Sequence, residues 1–173
     1  MLKNNKNVPL SFFSLLPVIA VMSAIFWFSS QTAEASTVTS GGFVSRLMDF
    51  ITLHFGQISE ESYESVRHIA TLIVRKSAHF LEFAALGFFA ELHLRTWLSK
   101  KTWLISSMFS LLYAVSDEFH QHFVSERAPR FTDVCVDFSG SLCAILFICA
   151  VFYIIHKIKT KRGRKENGKE EIR

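Results

Sequence analysis

Residues 8–28 form an uncharged apolar run of 21 residues, and residues 134–155 form another that only Asp137 interrupts. A helix of that length spans about 30 Å, the thickness of a bilayer's hydrocarbon core. Inside lipid a chain must satisfy its own backbone, so only helices and closed barrels are allowed. Continuous rather than alternating hydrophobicity selects helices. Half of the 173 residues are hydrophobic and 18 are Phe, far more than a soluble domain of this size needs.

Residues 102–116 give a further span. The remaining one is less clean: 83–90 is apolar, but Arg75, Lys76, His79, Glu82 and Glu91 flank it. Its membrane register is 69–90 or 77–98. The expectation is an all-α integral membrane protein: a bundle of four transmembrane helices with an interfacial helix in the first extracytoplasmic loop. One transmembrane domain then covers 1–156, and 157–173 is a basic disordered cytoplasmic tail, rich in Lys, Arg, Glu and Gly and lacking an apolar pattern.

Charge asymmetry sets the orientation. With four spans both termini share one side. That side holds Lys3, Lys6, Arg95, Lys100, Lys101 and the tail cations, thirteen of the nineteen Lys and Arg residues. The other keeps Arg46, Arg67, Arg75, Lys76, Arg127 and Arg130. Both termini are therefore expected to be cytoplasmic. The net charge of +4 comes mostly from the tail, which argues for anionic headgroups and against nucleic acid. A signal-peptide reading of the first run, with Ala33-Glu34-Ala35 as cleavage site, is disfavoured because a signal's apolar region is only about 7–15 residues long. Cys135, Cys143 and Cys149 fall in one span, an odd count with no CxxC, and read as small packing residues.

The first extracytoplasmic loop, about 29–74, is too long for a turn. Phe43, Leu47, Phe50 and Ile51 recur at helical spacing and predict a helix lying in the interface. Gly56-Gln57 should end it. Ser59 is a good N-cap for the next helix, with Glu60 and Glu61 where the dipole favours acids. That helix would carry Tyr63, Val66, Ala70 and Ile73 on one face and run into the second span.

Ionisable groups beside or inside such spans are costly, roughly 2.5–3.5 kcal/mol or more for an unpaired charge at mid-bilayer, and default to function. Three clusters stand out: Arg75-Lys76-x-x-His79-x-x-Glu82, Asp117-Glu118-x-His120-Gln121, and Arg127 through Asp133 to Asp137. On the expected topology all three lie on the outer side, joined by Ser29, Ser30 and Gln31. Helical spacing puts Arg75, His79 and Glu82 on one face, Asp117 with His120 and Gln121, and Asp133 with Asp137. The arrangement predicts one polar site in the outer leaflet, with Gly87 and Gly140 allowing close helix approach. A purely structural ion-pair network is the competing reading. Glu118, His122 and Glu126 read as solvated, and His54 and His68 as loop residues.

His79, His120, Asp117 and Asp133 are types that bind zinc, and the carboxylates also suit magnesium or manganese. No pair has a recognised metal spacing such as HExxH. A His with a carboxylate would serve as general acid and base, but no Ser or Cys nucleophile stands in a known motif. Arg75, Lys76, Arg127 and Arg130 suit phosphate or carboxylate recognition.

At Phe28-Ser29-Ser30-Gln31, Arg75-Lys76-x-x-His79-Phe80-x-Glu82-Phe83, Asp117-Glu118-x-His120-Gln121-x-Phe123-Val124 and Arg127-x5-Asp133-Val134-x-x-Asp137-x-x-Gly140 the chain resembles the VanZ-like family. The resemblance covers about 26–155. It departs at Phe83, usually Tyr, and at Ser125-Glu126, where Pro-Gly commonly precedes the Arg. It implies a small bacterial membrane protein linked to resistance against teicoplanin and related lipoglycopeptides. Binding of an anionic lipid, a cell-wall lipid intermediate or the glycopeptide itself is the first expectation. An interfacial headgroup hydrolase or transferase, using His, Asp and Glu or a divalent metal, is the second. A proton-coupled transporter ranks third, since four spans leave little room for a pathway.

Overall fold

The computed structural model describes residues 13–56, 59–98, 100–125, 127 and 129–170. Within them every regular element is an α-helix: α1 (Leu16–Ser29), α2 (Ala33–Phe55), α3 (Glu60–Trp97), α4 (Thr102–Gln121) and α5 (Phe131–Glu170). The start of the first apolar run lies outside the described residues. Pro17 sits in the first turn of α1, where its missing N–H costs nothing.

Side-chain oxygens start the next two helices as their chemistry dictates. Thr32 accepts from the Ala35 amide at 3.2 Å. Ser59 accepts from the Ser62 amide, with Glu60 and Glu61 in the first turn as expected. Gly56 closes α2 at φ 88°, a conformation that L side chains avoid. Gln57 lies outside the described residues. Lys101 opens α4 at φ 57°, the single non-glycine with positive φ among the described residues.

The longest contact runs between α3 and α5. Glycine makes it possible at two levels. A Cβ on Gly87 would stand 2.5 Å from the Ser141 carbonyl oxygen, and one on Gly140 would run into the Phe80 carbonyl. The Ser141 hydroxyl donates to the Phe83 carbonyl at 2.8 Å. Val18 and Ile25 of α1, Phe83 and Leu86 of α3, Ala114 of α4 and Val134 of α5 fill the centre. Tyr113 ties α4 to α1 by donating to the Met22 carbonyl at 2.8 Å.

Burial is partly inverted relative to a soluble protein. Ser29, Glu91, Ser106, Ser110, Asp117, Asp137 and Ser141 are inside, while Trp27, Leu81, Leu112, Phe119, Phe147 and Tyr153 are more than half exposed. Within α5, Phe131–Arg162 is long and apolar enough to cross a membrane by length and composition. α1 is apolar but only 14 residues long. The other helices interleave apolar residues with charges and small hydroxyls, so their composition does not establish the expected four-span bundle.

Three expectations are corrected. The helix foreseen around Phe43–Ile51 begins already at Ala33, and it also packs on α3: Val44 and Met48 are buried against Ala70, with Leu47, Ile51, Tyr63 and Val74 around them, whereas Phe43 and Phe50 are exposed. Helix–helix packing selects the covered face and leaves Phe43 and Phe50 outward. Residues 157–170, expected to be unstructured, continue α5 as helix. Lys, Arg and Glu are good helix formers, and extending an existing helix needs no new nucleus. The cysteines are not uniformly packing residues either, because Cys135 and Cys143 are exposed and Cys149 meets a charged network.

Candidate functional site

Spacing on three helices builds the expected polar site. On α3, Lys76 reaches across to Asp133 at the start of α5 in an ion pair. One turn further, His79 Nδ1 faces Asp137 Oδ1 at 3.8 Å, too long for a hydrogen bond. Asp137 is 1% exposed, and both facing atoms are buried without a hydrogen-bond partner among the described residues. Asp117 comes from α4. It is buried and accepts at Oδ2 from Ser29 Oγ at 2.8 Å and from Gln121 Nε2 at 2.9 Å. Gln121 also donates to Ser29 Oγ at 3.3 Å. His79, Asp117 and Asp137 each bring one donor atom within 4.8 Å of the others.

A cavity of about 300 Å³ opens beside this group, lined by Gln31, Arg75, His79, Glu82 and Arg127, and by Ser36, Ser40 and Phe43 of α2. Among the described residues neither Arg75 nor Arg127 forms an ion pair. Arg127 Nε is buried without a partner among them. Burial draws this guanidinium's pKa below its ordinary value and Arg75 pushes the same way, against Asp117, Glu118 and Asp133. The cavity runs into an apolar groove of about 600 Å³ between α2 and α3, lined among others by Leu47, Ile51, Ile69 and Leu81. Phe43, Val74 and Ala78 line both.

Two of the expected residues stand aside. His120 turns to α1, bonding Ser30 Oγ at 3.1 Å and stacking on Phe26 with ring centroids 4.6 Å apart. It belongs neither to the three-donor group nor to the cavity wall. Glu118, read as solvated, is only 6% exposed and takes the Arg130 amide at Oε1. It holds the α4–α5 loop against the end of α4. His122 is exposed as expected, and Glu126 lies outside the described residues. Ser29 is fully buried and donates to Asp117, so it braces a carboxylate rather than offering a nucleophile.

A second polar layer, near the opposite ends of α3–α5, was not foreseen. Glu91 is fully buried; Arg95 Nε donates to it at 2.7 Å, Thr102 Oγ1 at 2.7 Å and Ser106 Oγ at 2.6 Å. Arg95 also donates to Cys149 Sγ at 3.2 Å and lies 4.5 Å over the Phe152 ring. The signal was present in the i, i+4 spacing of Glu91 with Arg95 and of Thr102, Ser106 and Ser110. Taken as flanks, Glu91 and Arg95 marked only the edge of a span.

The VanZ/LLP1 family model matches residues 13–154, a stretch that contains both polar layers and the cavity. No curated protein and no solved structure matches the chain. The match covers most of the 173 residues, and the chain belongs to the VanZ/LLP1 family.

Proposed function

We propose that the chain is a multi-pass protein of the bacterial cell membrane whose outer-leaflet cavity binds the anionic group of an amphiphile, and that through this binding it contributes to teicoplanin or lipoglycopeptide resistance. The ligand is an anionic lipid, a cell-wall lipid intermediate or the glycopeptide. Four spans with both termini cytoplasmic fit the cation asymmetry. They also fit the inverted burial, since a soluble monomer rarely leaves so large an apolar surface in water.

The observation that carries the binding reading is the pair of guanidinium groups that, among the described residues, form no ion pair, lining a cavity that opens into an apolar groove. An orphaned buried donor such as Arg127 Nε costs about 1–3 kcal/mol. An incoming phosphate or carboxylate removes that cost and takes charge-assisted hydrogen bonds from both arginines. The adjoining groove offers apolar surface to the rest of the same molecule, a combination that an amphiphile satisfies and a free inorganic anion does not.

The test is binding by the full chain in nanodiscs, using a fluorescent phosphatidylglycerol against its phosphatidylcholine counterpart. The wild type should prefer the anionic lipid, and the double variant Arg75→Gln/Arg127→Gln should lose about tenfold or more. Equal affinity for both lipids, or an unaffected double variant, overturns the reading. The convergence of His79 with two aspartates favours one alternative, a headgroup hydrolase or transferase. Lipid profiles of membranes with and without the protein decide it: a product that requires His79 establishes an enzyme. Single-cysteine labelling at Ser45, with the native cysteines replaced, tests orientation. Access only from the cytoplasm would sink the outer-site assignment.

A further inference from the structure

We infer that His79, Asp117 and Asp137 form a binding site for a first-row divalent cation, zinc or manganese. Three helices converge on it, each supplying one residue, and the three donor atoms lie within 4.8 Å of one another. The cavity arginines supply none of its donor atoms, although His79 also lines the cavity.

In their ionised forms, two aspartates buried this deeply would bring two negative charges together. Lys76 is engaged with Asp133, and among the described residues neither Asp117 nor Asp137 pairs with a Lys or Arg. Taking carboxylates out of water without compensation is expensive. A divalent cation cancels both charges at once.

The unsatisfied atoms point the same way. His79 Nδ1 and Asp137 Oδ1 face each other at 3.8 Å, buried, without a hydrogen bond. Atoms that both bind one ion at about 2.1 Å stand roughly 3–4 Å apart. Asp117 already has its orientation fixed, because Ser29 and Gln121 both donate to Oδ2. Such outer contacts typically hold a metal-bound carboxylate in place. With Asp117 within 4.8 Å of both, the three residues supply a set of three donors. Three protein ligands leave a coordination position open. The imidazole selects a transition metal over calcium or magnesium, which favour oxygen donors.

The experiment uses the full chain, purified in detergent, stripped with EDTA and titrated separately with Zn²⁺ and Mn²⁺, then with Co²⁺ as an optical probe. The expected result is about one equivalent per chain with cobalt absorption typical of nitrogen and oxygen donors. Asp137→Asn should weaken affinity by about 100-fold or more, and Ser29→Ala, which removes only a brace on Asp117, by about tenfold. Ser29→Ala guards against the chance that Asp137→Asn fails to fold. No uptake by the wild type overturns the inference. So does uptake that Asp137→Asn and His79→Ala leave intact, since the ion would then rest on exposed imidazoles such as His54, His68 or His156.

Discussion

Gly87→Ala is the substitution whose effect the geometry fixes best. The new methyl would stand 2.5 Å from the Ser141 carbonyl oxygen, 2.7 Å from its Cα and 2.9 Å from its carbonyl carbon, all backbone atoms that no rotamer change can move. A comfortable C···O approach is about 3.3 Å. α3 and α5 must therefore part locally by about 0.8 Å. Overpacking of this kind costs about 1–3 kcal/mol, and the helix propensity of Ala over Gly returns about 0.8–1.0 kcal/mol. The net expectation is a loss of about 1–2 kcal/mol. Gly42, inside α2, is the control: nothing lies within 4 Å of the point its methyl would occupy, so Gly42→Ala should stabilise by up to about 1 kcal/mol. The assay is reversible unfolding in mixed detergent micelles. Gly140→Ala meets the Phe80 backbone on the same interface, and once the helices have parted for one methyl the second costs less. The double variant should therefore fall short of the sum. If Gly87→Ala matches Gly42→Ala in sign, the close approach of α3 and α5 is wrong.

Glu91→Ala removes a fully buried carboxylate and leaves the partly buried Arg95 without its ion-pair partner, and should destabilise by up to about 3–5 kcal/mol in the same assay; a change under about 1 kcal/mol would show that water reaches the network. Asp117→Asn keeps volume and polarity but removes charge, so drug resistance should fall while membrane abundance stays constant; parallel loss of both would leave only a structural role. Lys101→Gly relieves a left-handed conformation worth about 1–2 kcal/mol, partly offset by the greater unfolded-state freedom of Gly, and a small rise in stability is expected. A chain ending at Lys161 should insert normally and retain resistance, and at matched expression a complete loss would assign the tail a function.

How far the sequence was legible varied with the physics involved. Local rules held: Ser59 caps α3, Gly56 stops α2, and Gly87 and Gly140 mark backbone approach, because each depends on a few neighbouring residues. The α3 and α5 charges were foreseen as facing one another, and His79 does meet Asp137. What spacing could not supply was azimuth between helices. Asp117 and His120 sit three residues apart on α4, yet one turns inward to Ser29 and the other to Phe26 and Ser30. Which face of α2 is buried was not legible for the same reason, since Phe43 and Val44 are neighbours and only the packing of α3 decides which is covered. Glu91 went unrecognised because a charge near the end of an apolar segment looks like an interfacial flank. Its burial rests partly on the Thr102 and Ser106 hydroxyls, which only the turn between α3 and α4 brings to it.

The two polar layers also limit how the molecule can move. Along α3 they are twelve residues apart, His79 to Glu91; along α4 eleven, Asp117 to Ser106; along α5 twelve, Asp137 to Cys149. That is about 17–18 Å on every axis. A slip of one helix by a single turn, about 5.4 Å, would break both layers together. These three helices consequently behave as one bolted frame, resistant to sliding. α2 is joined differently, through the apolar contacts of Val44 and Met48 with α3. It supplies Ser36, Ser40 and Phe43 to the cavity wall. Any breathing of the cavity is thus a motion of α2 against a fixed frame, and a ligand that bridges the two would slow it.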